Sequence, residues 1–235
     1  MNLQFLIATL AAASLSAKDW PQFLGPEANA TSSETGLLKS FPKDGPQILW
    51  KANLEGGFGG AAISGDEIFL GDRVEKEKDM LLCLNFKTGK EKWRYESPSE
   101  GEPSYPGSRS VPTVEDDATP TRTQTTRPRP AVRRADLSAT PLEGEELWST
   151  GDDPFMGRGG SLYADRILII QDGENGTLRL VDPSPKGFKV QAEANIFGTD
   201  PKSRKDLKFW SPLALSNGKL IMRGQGKLIC VDLKK

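Results

Sequence analysis

The sequence predicts an all-β fold, a β-propeller of four-stranded blades with about four blades recognisable and one of them damaged. Three features predict it. A unit of short apolar strands and tight turns recurs along the chain. A Trp-bearing strand closes the unit at propeller spacing, and the two ends carry complementary fragments of one unit.

The unit is read from three stretches. Residues 59–93, 159–182 and 210–232 each begin with small residues or a Pro, pass through a short apolar strand and reach a polar turn. Those turns are Ser64-Gly65-Asp66, Ala164-Asp165-Arg166 and Ser216-Asn217-Gly218. A second strand follows at residues 67–70, 167–170 and 219–222, and a third at 80–86, 177–182 and 227–233. Short runs rich in Ile, Leu and Val, bounded by Gly, Asn and Asp, form strands and hairpins. Asn175-Gly176 and Asn217-Gly218 suit turns that need positive φ.

The fourth strand carries Trp. Glu91-Lys92-Trp93-Arg94 follows Lys87-Thr88-Gly89-Lys90, and Glu145-Glu146-Leu147-Trp148 follows Leu142-Glu143-Gly144. Gln47-Ile48-Leu49-Trp50-Lys51 has the same form, without three strands before it. Trp50 and Trp93 are 43 residues apart, within the blade period of roughly 40–50. The last unit stops at Asp232-Leu233 and lacks its Trp strand. The N-terminal strand is therefore expected to complete the last blade, which removes sheet edges that would leave backbone groups unpaired. Cys83 and Cys230 share one position of the unit, where the third unit has Leu180. They are expected to be core residues on separate sheets, too far apart for a disulfide's Cα separation of roughly 4.4–6.8 Å.

The chain has 235 residues, a net charge of −1, 2 Cys and no His. Without His there is no Ser-His-Asp or Cys-His pair and no His-based zinc protease site. Two Cys cannot build an all-Cys structural zinc site. The near-neutral charge gives no polyanion-binding surface, so no nucleic-acid partner is expected.

Residues 1–17, MNLQFLIATLAAASLSA, join a short apolar run to small residues ahead of Lys18-Asp19. This is the pattern of a secretory signal, and it is shorter than the roughly 20 apolar residues of a membrane span. The expected location is periplasmic or extracellular, with no transmembrane segment. The chain then divides into a signal peptide at 1–17, an N-terminal arm at 18–45, blades at 46–117, an aberrant segment at 118–143 and blades at 144–235. Trp20 and Phe23 read first as pins that hold the arm to the blades and, as the alternative, as partner contacts. Tyr105-Pro106-Gly107-Ser108-Arg109 reads first as the turn into the second blade and, as the alternative, as the lining of a face pocket.

Residues 118–143 do not continue the unit. They hold Arg122, Arg127, Arg129, Arg133 and Arg134 against Asp136 and Glu143, with four Pro, six Thr, no Gly and no aromatic residue. Neither strand nor helix periodicity is present, which predicts a disordered or long loop segment. The abrupt change of composition in mid-turn favours an out-of-frame or misassembled stretch over a basic arm or a solvated linker.

Asp19-Trp20-Pro21-Gln22-Phe23-Leu24-Gly25-Pro26, Gly36-Leu37-Leu38, Leu84-Asn85-Phe86-Lys87-Thr88-Gly89-Lys90-Glu91-Lys92-Trp93 and the closing Leu228-Ile229-Cys230-Val231-Asp232-Leu233 carry a resemblance. Together they resemble the PQQ-like (pyrroloquinoline-quinone-like) β-propeller repeat proteins, over residues 18–117 and 144–235. Bacterial relatives with this opening are exported. The family includes dehydrogenases that use a bound quinone, Ca²⁺, an Asp base and often an adjacent-cysteine disulfide, and also non-catalytic members. This chain has no adjacent Cys pair, and no acidic residue or Asn falls on the calcium motif. Asp172-Gly173-Glu174-Asn175-Gly176 reads as a β-turn, and Lys87-Thr88-Gly89-Lys90 as a blade turn. The expected function is a non-catalytic, exported binding or scaffold module of the cell envelope. It is expected to act as a monomer with a protein or envelope partner and no cofactor. No catalytic, cofactor-binding or metal residue is assigned. The alternative implied by the resemblance is a quinone-dependent dehydrogenase with PQQ and calcium; a truncated remnant is a further reading.

Overall fold

The strands of the computed structural model follow the repeat. The described residues are 19–101, 107–115, 138–139, 148–150, 157–199, 208–224 and 226–235. The expected signal peptide at 1–17 lies outside them, as does all of 118–143 apart from Ser138 and Ala139. Among the described residues there are strands and turns and no helix. In chain order the strands are β1 (Thr31–Ser32), β2 (Ile48–Asn53), β3 (Ala62–Ser64), β4 (Glu67–Val74) and β5 (Lys78–Asn85). Next come β6 (Glu91–Pro98), β7 (Ser138–Ala139), β8 (Trp148–Ser149), β9 (Ser161–Ala164) and β10 (Ile167–Gln171). The last are β11 (Thr177–Asp182), β12 (Lys189–Asn195), β13 (Ala214–Ser216), β14 (Lys219–Gly224) and β15 (Lys227–Asp232).

Three blades of four antiparallel strands result. The first is β3-β4-β5-β6, the third β9-β10-β11-β12, to whose edge β1 adds a fifth, parallel strand, and the last β13-β14-β15-β2. The last blade pairs N-terminal β2 with β15, Trp50 opposite Cys230, so the two ends of the repeat complete one sheet as expected. Of the second blade, β7 and β8 pair with Ala139 opposite Trp148, the register of Cys83 and Trp93 in the first.

The unit repeats down to an irregularity. The register slips between Cys83 and Leu84, between Leu180 and Val181, and between Cys230 and Val231. In each blade one residue of the outer strand, Lys92, Gln191 or Leu49, is left without an opposite number. A bulge at a fixed place sharpens the local twist of each outer strand. It also shows why a Trp pattern overlooks β12: Ala192 faces Leu180 where Trp93 and Trp50 face Cys83 and Cys230.

The middle strands are largely buried on both faces, whereas β9 alternates, with Leu162 and Ala164 buried and Ser161 and Tyr163 exposed. β14 and β15 are almost wholly buried, and one apolar cluster runs through all three blades from Ile63, Ile68 and Leu82 to Ile169 and Leu180 and on to Leu220 and Ile229. Both cysteines are free and buried. Burial pushes the Cys83 thiol up to about 11 and the Cys230 thiol up to about 12, so neither forms a thiolate at neutral pH.

Trp50 locks the last blade to the first. Its indole Nε1 donates to the Phe86 carbonyl at 3.0 Å. The ring lies over Gly89, where any Cβ would collide with it and where φ is +68°. The turn that presents Gly89 is tied by Asn85, whose Oδ1 accepts from the Lys87 and Thr88 amides, both at 3.0 Å. Lys87-Thr88-Gly89-Lys90 is thus the blade turn.

The arm crosses the first hairpin turn of the first, third and last blades. Trp20 exchanges backbone hydrogen bonds with Ile63 and is 2% exposed, with the turn at Gly25 (φ +80°) folded over its ring. Phe23 is 43% exposed, which corrects its reading as a second pin: it rides in the turn itself and faces solvent. Asp19 accepts from the Gly65 amide at 2.9 Å, β1 runs parallel to β9, and Glu34 accepts from the Gly218 amide at 2.5 Å. Asp165, in the third blade's turn, accepts from the Leu37 amide at 2.9 Å and pairs with Lys39 at 3.1 Å. Burial alone would raise the Asp165 carboxyl, but the Leu37 amide and Lys39 together hold it below the usual value. A carboxyl lowered on folding stabilises above its unfolded pKa of about 3.9 and loses that contribution as pH falls through the folded value. Asp165→Asn is therefore expected to lower stability by about 0.5–1 kcal/mol at pH 7. The gap in Tm should close as pH falls through the lowered folded value; a gap that persists once the carboxyl is protonated in both states would remove the carboxylate from this account.

Candidate functional site

The segments that lead into the innermost strands meet on the face away from the arm. Counting back from the first turn of each unit, the residues just before Gly59, Ser110, Gly159 and Ser211 occupy one equivalent position. They are Phe58, Arg109, Arg158 and Trp210. Phe58 and Trp210 lie with ring centroids 5.5 Å apart at 31°. The Arg158 guanidinium sits 5.4 Å from the Trp210 ring centre, and the Lys208 ammonium 5.6 Å. Ser108 anchors the second blade's lead-in, its carbonyl accepting from the Phe58 and Gly59 amides at 2.7 and 2.9 Å. Arg109 and Arg158 are exposed, while Phe58, Lys208 and Trp210 are half-buried.

Beneath this quartet the floor is rigid and neutral. Arg223, 3% exposed at the end of β14, donates Nη1 to the Gly59 and Gly71 carbonyls at 3.0 and 2.6 Å, and Nη2 to Asp72 at 2.8 Å. The other Asp72 oxygen accepts from the Glu55 amide at 2.8 Å. Burial pushes the Asp72 carboxyl up and the Arg223 guanidinium down, so desolvation outweighs their mutual attraction. On the third blade, Gln171 holds the equivalent place and donates to the Phe209 and Arg223 carbonyls at 2.9 and 3.0 Å. Blades one, three and four are thus tied beneath one surface.

Asp172-Gly173-Glu174-Asn175-Gly176 forms a turn. Asp172 Oδ1 accepts from the Glu174 and Asn175 amides at 2.9 and 3.2 Å, and Oδ2 binds Arg179 at 2.5 Å. Both oxygens are engaged within the blade. Among the described residues no three His, Cys, Asp or Glu side chains gather where they could hold a metal ion. The two cysteines stand on different sheets. The described residues therefore do not supply the acidic cage and adjacent-cysteine pair that resemblance to the quinone enzymes implies.

A separate cleft of about 360 Å³ opens beside the first blade, between Leu81, Trp93 and Tyr95 on one wall and Ser108, Ser110 and Pro112 on the other. Ser108, from the segment read as the turn into the second blade, lines it; Tyr105 and Pro106 lie outside the described residues. Sequence reasoning missed the Phe58–Trp210 quartet, although its signal was present: Phe58 and Arg158 stand one residue before a repeat stretch, Trp210 opens one, and Arg109 ends the turn into the second blade.

Four-stranded antiparallel blades with a shared bulge, a Trp lock and an outer strand supplied from the far end define a PQQ-like propeller repeat protein. The family model described as "Outer membrane protein assembly factor BamB" matches residues 34–235, and the chain belongs to that family. Among solved structures, BamB from Moraxella catarrhalis is 14% identical over 72% of this chain and 68% of that one, with a TM-score of 0.25. Quinohemoprotein alcohol dehydrogenase from Comamonas testosteroni is 14% identical over 88% of this chain and 23% of that one, with a TM-score of 0.26. No curated protein matches the sequence.

Proposed function

We propose that the chain is a non-catalytic, exported propeller that binds a protein partner at the cell envelope through the face bearing Phe58, Arg109, Arg158 and Trp210, working as a monomer without a cofactor. The observation that carries this is the convergence of four equivalent lead-ins into one aromatic and cationic surface over a floor held by Arg223. Trp and Arg are the residues most enriched among binding hot spots. Membership of a family described by an assembly factor supports a protein partner. Export is supported by the secretory pattern of residues 1–17. No helix among the described residues is long and apolar enough to cross a membrane.

The test is a photo-crosslinker in place of Arg109, Arg109→p-benzoylphenylalanine, irradiated in intact envelopes. A discrete crosslinked protein is expected, absent when the crosslinker replaces exposed Lys186 in the third blade's outer turn. Identical adduct patterns from the two positions, or no adduct from position 109, would overturn the reading.

A further inference from the structure

We infer that this face captures an acidic peptide segment of the partner, its carboxylates held by Arg158 and Arg109 and its backbone laid across Trp210 and Phe58. The inference rests on the proposed reading of the face as the protein-binding surface and names the partner's chemistry.

Charge complementarity is the first argument. Among the described residues, three acidic groups around and beneath the face are committed to their own blades. Asp72 is bound by Arg223 and the Glu55 amide, and Asp172 by Arg179 and its turn amides. Glu75 accepts from the Gly107 amide and lies 3.5 Å from Arg73. Among the described residues of the lead-ins, Arg109, Arg158 and Lys208 are cationic and Glu55 is acidic, and Glu174 from the third blade's turn lies against Gly157. The cations outnumber the carboxylates there, on a chain whose net charge is −1.

Geometry is the second argument. A guanidinium stacked on an indole uses its flat face and keeps its N–H edge for an in-plane acceptor. The Arg158 guanidinium lies 5.4 Å from the Trp210 ring centre, within the range of such a contact. An edge of parallel N–H donors matches a carboxylate in two-point contact. Arg109 stands at the equivalent position on another blade, so a second carboxylate further along an extended segment would meet a second fork. Trp210 and Phe58, half-buried and 5.5 Å apart, offer a rigid apolar step between them. Exposed arginines around a half-buried aromatic pair fit a chain laid over the surface better than a small anion, which needs a concave site that encloses most of it.

The test uses the full chain and a short fluorescein-labelled Glu/Asp peptide, followed by fluorescence anisotropy. Saturable binding that weakens as salt rises is expected. Arg109→Glu/Arg158→Glu should weaken it by about tenfold or more, with an unchanged melting curve because both side chains are exposed. Charge reversal at exposed Lys43 and Lys186, on outer turns, should leave it unchanged. Equal binding by the double variant, or weakening by the outer-turn reversals, would overturn the inference. So would displacement by glutarate at concentrations comparable to the peptide's, which would mark a small-anion site. A crosslink from position 109 in envelopes without binding of the acidic peptide would sink this inference while the proposed function stands; no crosslink would sink the proposed function first.

Discussion

Trp50→Ala should destabilise the protein by about 3–5 kcal/mol, the range for removing a buried Trp. Trp50 is 9% exposed and closes the joint between the last blade and the first. Its loss opens a cavity over Gly89 and leaves the Phe86 carbonyl without the indole donor. Against a typical total stability of 5–15 kcal/mol, that is a large fraction. Urea denaturation followed by circular dichroism measures it. Gly89→Ala tests the same joint from the other side, because its methyl would strike the indole. In the Trp50→Ala background the collision disappears, and Gly89→Ala should then cost only the roughly 1–2 kcal/mol of a left-handed Ala. Additive effects in this double-mutant cycle would show that the ring and the turn do not meet.

Removing one partner of the Arg223–Asp72 pair should be as severe. Asp72→Ala leaves a guanidinium 3% exposed with no counter-charge, which costs about 3–5 kcal/mol. Arg223→Met strands the Asp72 carboxylate and two carbonyls, Gly59 and Gly71. The double variant Asp72→Val/Arg223→Met should be less damaging than the sum of the singles, since no unpaired charge remains. It should still fall short of the parent, because each orphaned backbone group costs about 1–3 kcal/mol. A single variant that shifts stability by less than about 1 kcal/mol would mean that water reaches the pair.

The blades were legible because their signals are local and repeated. Alternating apolar runs, Asn217-Gly218 with φ +55° and +70°, and the shared position of Cys83, Leu180 and Cys230 each report a hairpin or a register within a few residues. The pairing of β2 with β15 was also legible, since each fragment lacks what the other has. β12 was hidden because its signal had been tied to one residue type, and Ala192 replaces it. The Arg223–Asp72 bond has no local signature at all. Its partners are 151 positions apart, and Gly71 and Gln171 fill the place of Arg223 in the other blades. The quartet of Phe58, Arg109, Arg158 and Trp210 lay between these cases. Its register was readable, but four different side chains at one position resemble noise until the lead-ins converge in space.

The pairing of β2 with β15 sets a timetable for the newborn chain. The strand made first among the blades finds its neighbour only once β15 has been synthesised, a wait of roughly 10–40 s at ordinary elongation rates. Until then Trp50 has no completed sheet behind it, and the first blade stays unclasped on that side. Through that interval β2 is a strand without its neighbour, and its unpaired backbone groups are open to wrong partners. Circular permutation that joins the ends and opens the chain after β2 would make the last blade contiguous and remove the wait.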